Sequence, residues 1–210
     1  MPICRRTVCY AFTALFLSIL PMQAMASCAP QLPRTAAAIV PPNAPDQRLM
    51  NAAILAFVNH ERCRAGLAAA KAHSGLSRVA QNHAQWMAAH GVLSHTSTLS
   101  GQSSVQARIM ASGYKARRGS ENIGVVPHLP HEIQSPVKAS SCKRILRKAR
   151  RLPPQSYAHL AQTIVAMWMK SKRHRRNVLD PNTKAMGSAV SFNPTQAPCG
   201  QYYLAQSFAG

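Results

Sequence analysis

The chain has 210 residues, which is enough for one well-buried core but short for two domains. Lysine and arginine number 25 against 5 acidic residues, so the formal net charge is +20 and the chain will adhere to polyanions. Aromatic residues make up only 6% of the sequence and no DNA- or RNA-binding motif is present, which argues against specific recognition of nucleic acid.

The first 26 residues have the features of a signal peptide. Arg5 and Arg6 form a positive start, residues 8–20 are almost wholly apolar, and Ala-Met-Ala at 24–26 supplies small residues for cleavage. As a helix, residues 8–20 would rise about 20 Å, too little to cross a hydrocarbon core of about 30 Å. We therefore predict a secreted or periplasmic protein. Polyanions there are anionic membrane lipid, glycolipid or acidic polysaccharide.

The cysteines support an oxidising compartment. Removal of the signal peptide leaves four of the six, an even number that makes two disulfides plausible among Cys28, Cys63, Cys142 and Cys199. Three pairings are possible, and no CxxC spacing indicates zinc. Residues 25–28 loosely resemble a lipidation motif, which makes a lipid anchor on Cys28 an alternative. A lipidated Cys28 would leave one thiol unpaired.

Apolar spacing and capping residues predict a single domain over residues 47–210. Residues 27–46 are rich in proline and lack an apolar period, so we expect an extended linker there. Helices are predicted over 46–64 with Asp46 as cap, 76–90 with Ser74 as cap and Gly91 at the end, 103–111, and 157–170.

Two strands, 186–192 and 201–208, are predicted to close the chain as a hairpin. Helices followed by a hairpin indicate an α+β layered domain. A basic insertion at about 127–156 interrupts this order with five prolines and a cationic run at 143–151. Its apolar spacing predicts a short amphipathic helix, and a solvated loop held by a Cys142 disulfide is the alternative.

The five acidic residues are few enough to be considered in turn. Asp46 can cap a helix, Glu61 can pair with a neighbouring arginine, Asp180 precedes a proline in a turn, and Glu132 lies in the insertion. Glu121 stands in a short glycine-flanked stretch, 119–124, of the kind that presents a side chain to a cavity. No opposed carboxylate pair or nucleophile elbow is evident, which disfavours a glycosidase or serine hydrolase.

Two of the nine histidines follow predicted helices directly. His95 follows the second helix and His174 the fourth, whereas His83 lies on the apolar face of the second helix and is assigned to the core. Two imidazoles beside the carboxylate of Glu121 could hold a divalent ion. Spacing alone favours the simpler alternative, in which each histidine hydrogen-bonds a loop.

Short motifs follow one another in order from about residue 50 to residue 210. They include Asn-His-Glu-Arg-Cys at 59–63, Leu-Ser-His-Thr at 93–96, Ser-Glu-Asn-Ile-Gly at 120–124, Trp-Met-Lys-Ser at 168–171, His-Arg-Arg-Asn-Val-Leu-Asp-Pro at 174–181 and Gly-Gln-Tyr-Tyr at 200–203. The ordered series resembles the CAP superfamily (SCP/TAPS: cysteine-rich secretory proteins, antigen 5 and pathogenesis-related 1), in its bacterial extracellular form.

The resemblance implies a three-layer α-β-α sandwich of CAP type, with a cleft lined by two histidines and two acids. The first histidine, the Glu-Asn-Ile glutamate and the second histidine match His95, Glu121 and His174, and Asn122 lies beside them. Ser171 stands where the second acid is expected. Family members are described as binding metal at the histidine pair, and several eukaryotic ones bind sterols or fatty acids.

These observations together predict a binding module more than an enzyme. The expected ligand is a lipid or another anionic or hydrophobic molecule at the cell surface, held by a monomer. The resemblance also implies a divalent metal, zinc or magnesium, at His95 and His174, weakly held because the surrounding charge is positive. The alternative is a weak metal-dependent hydrolase or protease that uses the same cleft with Glu121 as its acid or base.

Overall fold

A four-stranded mixed sheet forms the middle layer of the domain. The computed structural model describes residues 28–128, 155–196 and 199–210. The strands are β1 (Lys71–Ala72), β2 (Gly119–Pro127), β3 (Ala185–Asn193) and β4 (Gln201–Ala209), in the spatial order β1-β3-β4-β2. β1 runs parallel to β3, and the other pairs are antiparallel. The predicted signal peptide and the cationic run of the insertion lie outside the described residues.

Helices cover both faces of this sheet. They are α1 (Gln47–Arg64), α2 (Ser74–His90), α3 (Val105–Ala111), α4 (Tyr157–Lys170) and α5 (Lys172–Val178), preceded by a 3-10 turn at Arg34–Ala37. α2 packs on β3 and β4 with α3 beside it, while α1 and α4 pack together on the opposite face. The predicted α+β class and the three-layer arrangement that the resemblance implies are confirmed.

The alternation of β4 explains why the sheet sits between two helical layers. Tyr202, Leu204 and Phe208 join the core cluster with α1 and α4, whereas Tyr203 and Ala205 join the cluster with α2. Successive side chains of a strand point to opposite faces of the sheet. Because β4 has apolar side chains on both faces, each face of the sheet needs a layer of helices to bury them. β4 is almost wholly buried as a result.

Among the described residues, the predicted helices agree with the structure at their last residues, and the first residue differs by two for α2 and α3. The Asp46 side chain caps α1 by accepting hydrogen bonds from two backbone amides, at 2.9 and 3.0 Å. α2 begins at Ser74 rather than Leu76, and its cap is His73, because the His73 Nδ1 accepts from the Leu76 amide at 3.4 Å. α3 begins at Val105, two residues later than predicted.

Two elements near the candidate site were not predicted. The stretch around Glu121, expected to be a short segment between glycines, is the strand β2, which pairs with β4 along its whole length. The residues after Ser171 form α5, although Lys172–Val178 has almost no apolar residue and only Val178 is buried. Tertiary packing, not local pattern, stabilises α5.

The described part of residues 27–46 packs on the domain, which corrects the extended-linker prediction. Ala36 and Val40 are buried, and the Val40 amide donates to the Gln155 carbonyl at 2.9 Å. The Tyr157 amide in turn donates to Ala38. The prolines remove amide donors, but the segment still makes backbone hydrogen bonds with Gln155 and Tyr157 at the start of α4.

A disulfide joins Cys28 to Cys63 on α1, and Cys199 is also disulfide-bonded. The Cys28 sulfur is therefore not available for a lipid, and the alternative of an anchor on Cys28 is wrong. Within residues 28–128, 155–196 and 199–210, no helix has both the length and the apolar character needed to cross a membrane.

Candidate functional site

The strand period of β2 places the two central residues of the site on opposite faces of the sheet. Glu121 points toward the layer of α2 and α3, where it contacts His95 and Arg108. Asn122 points toward α5, where its Nδ2 donates to the His174 carbonyl oxygen at 3.3 Å. The edge of β2 therefore connects the loop that carries His95 with the helix that carries His174.

The Glu121 carboxylate is buried and fully engaged. The residue is 4% exposed. Its Oε2 accepts from Arg108 Nε at 2.7 Å, and its Oε1 accepts from Arg108 Nη2 at 2.8 Å and from His95 Nδ1 at 2.9 Å. Burial alone would raise the pKa of this carboxyl, but the hydrogen bonds from His95 and Arg108 and the Arg108 charge outweigh it and hold that pKa below its ordinary value.

The loop that carries His95 is held from beneath by two buried side chains. Arg108 Nη2 donates to the His95 carbonyl at 2.6 Å, and Arg108 Nη1 donates to the Gln102 carbonyl at 2.8 Å. His83 Nε2 lies 2.8 Å from the Ser94 carbonyl and donates to it. The His95 side chain itself remains 40% exposed, so its ring is accessible to solvent above this buried support.

His83 is completely buried, as predicted from its place on the apolar face of α2. Burial lowers the pKa of His83, and the nearby Glu121 charge offsets this only in part. The ring is therefore neutral, and its 3.7 Å contact with Glu121 Oε1 is not an ion pair. Its Nδ1 has no hydrogen-bond partner among the described residues.

His174 lies in α5, which two asparagines attach to β2. Asn177 Nδ2 donates to the Asn122 side-chain oxygen at 2.8 Å and to the Glu121 carbonyl at 3.1 Å. Burial lowers the pKa of His174, and the charges of His95 and Arg173 lower it further. A positive charge on His95 therefore disfavours a second positive charge on His174.

Ser171 lies at the junction of α4 and α5. Its backbone oxygen accepts from the Arg175 amide at 2.8 Å, and its hydroxyl makes no capping hydrogen bond to α5. The exposed side chains of α5 are all basic: Lys172, Arg173, Arg175 and Arg176. The uncharged Ser171, where the resemblance would place a second acid, is therefore followed by four exposed basic side chains.

The residues present fit a divalent metal only in part. No group of three or more potential metal ligands occurs among the described residues. Both oxygens of Glu121 already accept hydrogen bonds, which leaves the imidazoles of His95 and His174 as possible ligands. The Nδ1 bond of His95 to a carboxylate is the usual support behind a ligating histidine, but catalytic zinc sites typically have three protein ligands.

Arg108 belongs to the candidate site but was not predicted from the sequence. It is fully buried in α3, where it stands among apolar neighbours in Val-Gln-Ala-Arg-Ile-Met-Ala. An arginine on a short, otherwise apolar helix was a signal, since a buried guanidinium needs a partner and acidic residues are scarce. Its partner, Glu121, is 13 residues away on a different element.

The matches to known proteins agree with this geometry. The model of the cysteine-rich secretory protein family, CAP, matches residues 55–208, most of the chain. The chain belongs to the CAP family. The match includes His95, Glu121 and His174 and every described strand and helix from α2 through β3. A comparison with the curated proteins found no match.

Solved structures similar to this CAP domain come from bacteria. An extracellular protein containing an SCP domain from Bacillus anthracis is 17% identical with a TM-score of 0.51, and the alignment covers 78% of this chain and 41% of that one. An outer surface protein of Borrelia burgdorferi is 11% identical with a TM-score of 0.49, covering 74% and 89%. A cysteine-rich secretory protein of Staphylococcus aureus is 14% identical with a TM-score of 0.43, covering 79% and 40%. At these identities the likeness to the first protein supports the fold alone, and the chain spans less than half of that protein's length.

Proposed function

We propose that this CAP domain is an exported, non-enzymatic protein that binds the headgroup of an anionic lipid at the cell surface. The observation that carries the proposal is the neutralisation of Glu121 by Arg108. Because this carboxylate is buried and paired, it leaves no net negative charge at the cleft. In the described part of the chain, the other solvent-accessible ionisable side chains of the candidate site are the imidazoles of His95 and His174 and the basic side chains of α5.

The charge of α5 is not balanced by the described acidic residues. The ion pairs found within 4.0 Å in the described part of the chain use only Glu61 and Glu121 as acids. Lys172, Arg173 and their basic neighbours on α5 are thus available to anions. Each cation close to an anionic membrane contributes about 1 kcal/mol to binding, so a few of them suffice for measurable affinity.

The hydrogen bonds of Glu121 also argue against its use as a general acid or base. A carboxylate that accepts three hydrogen bonds and has a lowered pKa is a weak base. Because Glu121 is also only 4% exposed, its carboxylate does not reach a ligand. We therefore assign Glu121 to the support of His95 and propose that ligand contact is made by His95, His174 and α5.

Vesicle binding tests the proposal directly. The full chain is incubated with vesicles of an anionic phospholipid and with neutral vesicles, over a range of salt concentrations. We expect salt-sensitive retention on the anionic vesicles only. The triple variant Arg173→Gln/Arg175→Gln/Arg176→Gln removes three charges and should weaken binding on the order of 100-fold, at about 1 kcal/mol per cation.

A matched control separates the cleft from the general charge. The variant Lys71→Gln/Arg117→Gln/Lys184→Gln removes the same number of exposed charges outside α5, and we expect a clearly smaller loss. Equal losses in the two triple variants would show that binding depends on net charge and not on α5. Absence of vesicle binding at low salt, or retention by an acidic polysaccharide alone, would rule out a lipid ligand.

A metal-dependent hydrolase remains the second candidate, because Glu121 supports His95 as it would support a metal-ligating histidine. We expect weak binding of Zn²⁺ by calorimetry that is lost in both His95→Ala and His174→Ala. Zn²⁺ or Mg²⁺ binding that neither substitution alters, or no metal-dependent turnover of ester and peptide substrates, would exclude this candidate.

A further inference from the structure

We propose that Arg108 and His83 are positioning residues that hold the His95 ring with its Nδ1 proton on Glu121 and its Nε2 toward the cleft, so that the cleft selects an anion that also carries a hydroxyl group. The charge of this ligand rests on the proposed function. The requirement for a hydroxyl comes from a separate set of contacts beneath His95.

The first step concerns the proton on the His95 ring. An ionised carboxylate only accepts hydrogen bonds, and Glu121 is kept ionised by the paired contacts of Arg108 at 2.7 and 2.8 Å. At 2.9 Å from Glu121 Oε1, the His95 Nδ1 must therefore donate. In the neutral ring the only proton is then on Nδ1, and Nε2 carries a lone pair.

The second step concerns the direction of the ring. Consecutive backbone carbonyls are held by buried donors, Ser94 by His83 Nε2 at 2.8 Å and His95 by Arg108 Nη2 at 2.6 Å. Both donor side chains are completely buried, so the surrounding packing holds them in place and water does not compete for their hydrogen bonds. With its backbone and its Nδ1 edge fixed inside, the 40% exposed ring presents its Nε2 edge outward.

The third step concerns the ligand. A lone pair on Nε2 accepts a hydrogen bond and does not favour a bare anion, whereas the basic side chains of α5 favour an anion. One ligand satisfies both when it combines an anionic phosphodiester with a hydroxyl, as a glycerol headgroup does. The same cleft should therefore discriminate between anionic lipids of equal charge.

Two vesicle compositions isolate the hydroxyl. Phosphatidylglycerol and phosphatidylmethanol carry the same single charge, but only the first has hydroxyl groups on the headgroup. We expect the wild-type chain to bind phosphatidylglycerol vesicles about threefold to tenfold more tightly, the usual net effect of one added hydrogen bond. In Arg108→Met/Glu121→Gln, which preserves net charge, this ratio should fall to about one.

Nitrogen NMR of the His95 ring tests the positioning without any ligand. At a pH where the ring is neutral, the wild type should show the Nδ1-protonated tautomer, and Arg108→Met/Glu121→Gln should show a mixture or the other tautomer. Glu121→Gln alone is a second variant in case the double variant folds poorly, and it should weaken the tautomer preference, because its amide has a single acceptor oxygen for which His95 and Arg108 compete. Arg78→Met removes an exposed arginine whose hydrogen bond, among the residues that the structure describes, goes to the Ala111 carbonyl, and it should keep both the tautomer and the binding ratio.

The outcomes are distinguishable. A wild-type ring protonated on Nε2 overturns the inference whatever the vesicles show. Equal binding of the two lipids overturns the hydroxyl requirement and leaves the proposed function standing. Failure to bind either lipid overturns the proposed function and the ligand assignment, while the tautomer measurement still decides whether the pair of Arg108 and Glu121 positions the His95 ring.

Discussion

The pairing of Arg108 with Glu121 predicts a strongly non-additive effect on stability. Arg108→Met would leave a carboxylate that is 4% exposed without its main counter-charge. Breaking a buried pair from one side typically costs about 3–5 kcal/mol. At roughly 2–4 °C per kcal/mol for a domain of this size, the melting temperature should fall by about 10 °C.

Adding Glu121→Gln to Arg108→Met removes the stranded charge. The loss of unfolding free energy in the double variant should therefore be smaller, by at least about 2 kcal/mol, than the sum of the losses in the two single variants. Urea unfolding of the oxidised protein at neutral pH, followed by circular dichroism, gives all four free energies. Arg64→Met on α1 is the matched control, because this arginine is exposed and makes only a 3.9 Å contact with Glu61. We expect it to lie within about 0.5 kcal/mol of the wild type.

The same cycle has a dependence on pH whose sign follows from the lowered pKa of Glu121. A carboxyl with a lower pKa in the folded chain stabilises that state above its unfolded pKa of about 4.3, and the contribution is lost as the pH falls through the folded pKa. The wild type should lose this contribution in acid, and the double variant should not. Single-variant losses that add within about 0.5 kcal/mol, or a cost of Arg108→Met below about 1 kcal/mol, would refute the buried ion pair.

Other features of the fold predict measurable effects of their own. Arg62 is completely buried and donates hydrogen bonds to the backbone carbonyls of four residues. Arg62→Met should therefore lower the free energy of unfolding in urea by about 3 kcal/mol or more, unlike Arg64→Met. A loss below about 1 kcal/mol would contradict these contacts. Replacing both Cys28 and Cys63 by alanine opens a loop with a sequence separation of 35 and should cost about 3–4 kcal/mol on loop entropy, and an unchanged urea midpoint would argue against this bridge. Burial lowers the pKa of His83, so the unfolded chain takes up more protons than the folded chain below about pH 6.5. The wild type should therefore lose stability relative to His83→Gln as the pH falls from about 8 to about 5. Parallel pH profiles of the two proteins would show that His83 is not held neutral.

The elements with a strong local pattern could be predicted from the sequence, and those without one could not. α1 and α4 combine an apolar helical period with a capping side chain, Asp46 and Ser156, and their predicted ends are right to within a residue. α5 has neither a period nor a side-chain cap, and it forms because Asn177 and Val178 bind it to the rest of the domain. Such a helix can be predicted only when the residues that it packs against in the folded domain are known.

The site residues illustrate the same limit. His95, Glu121 and His174 were identified from motifs, but the pattern did not reveal that Glu121 lies on a strand, since β2 is buried on both faces and does not alternate. Without the strand period, nothing in the sequence places Glu121 and Asn122 on opposite faces of the sheet. The role of Arg108 depends on this geometry, because its guanidinium meets Glu121 only when α3 packs against β2.

The scarcity of acidic residues links the fold to the charge of its surface. Each acidic residue that the structure describes has a local structural role. Asp46 caps α1, Glu61 contacts Arg64, Glu121 binds Arg108, and Asp180 accepts from the Asn182 amide in a turn. These roles leave no described carboxylate to neutralise α5. The uncompensated positive charge of α5 is therefore a consequence of how the few described acids are used, and not only of the large number of lysines and arginines. For this reason a single substitution at Arg108, which frees a buried carboxylate beside His95, should weaken anion binding at the cleft more than the loss of one exposed arginine such as Arg78.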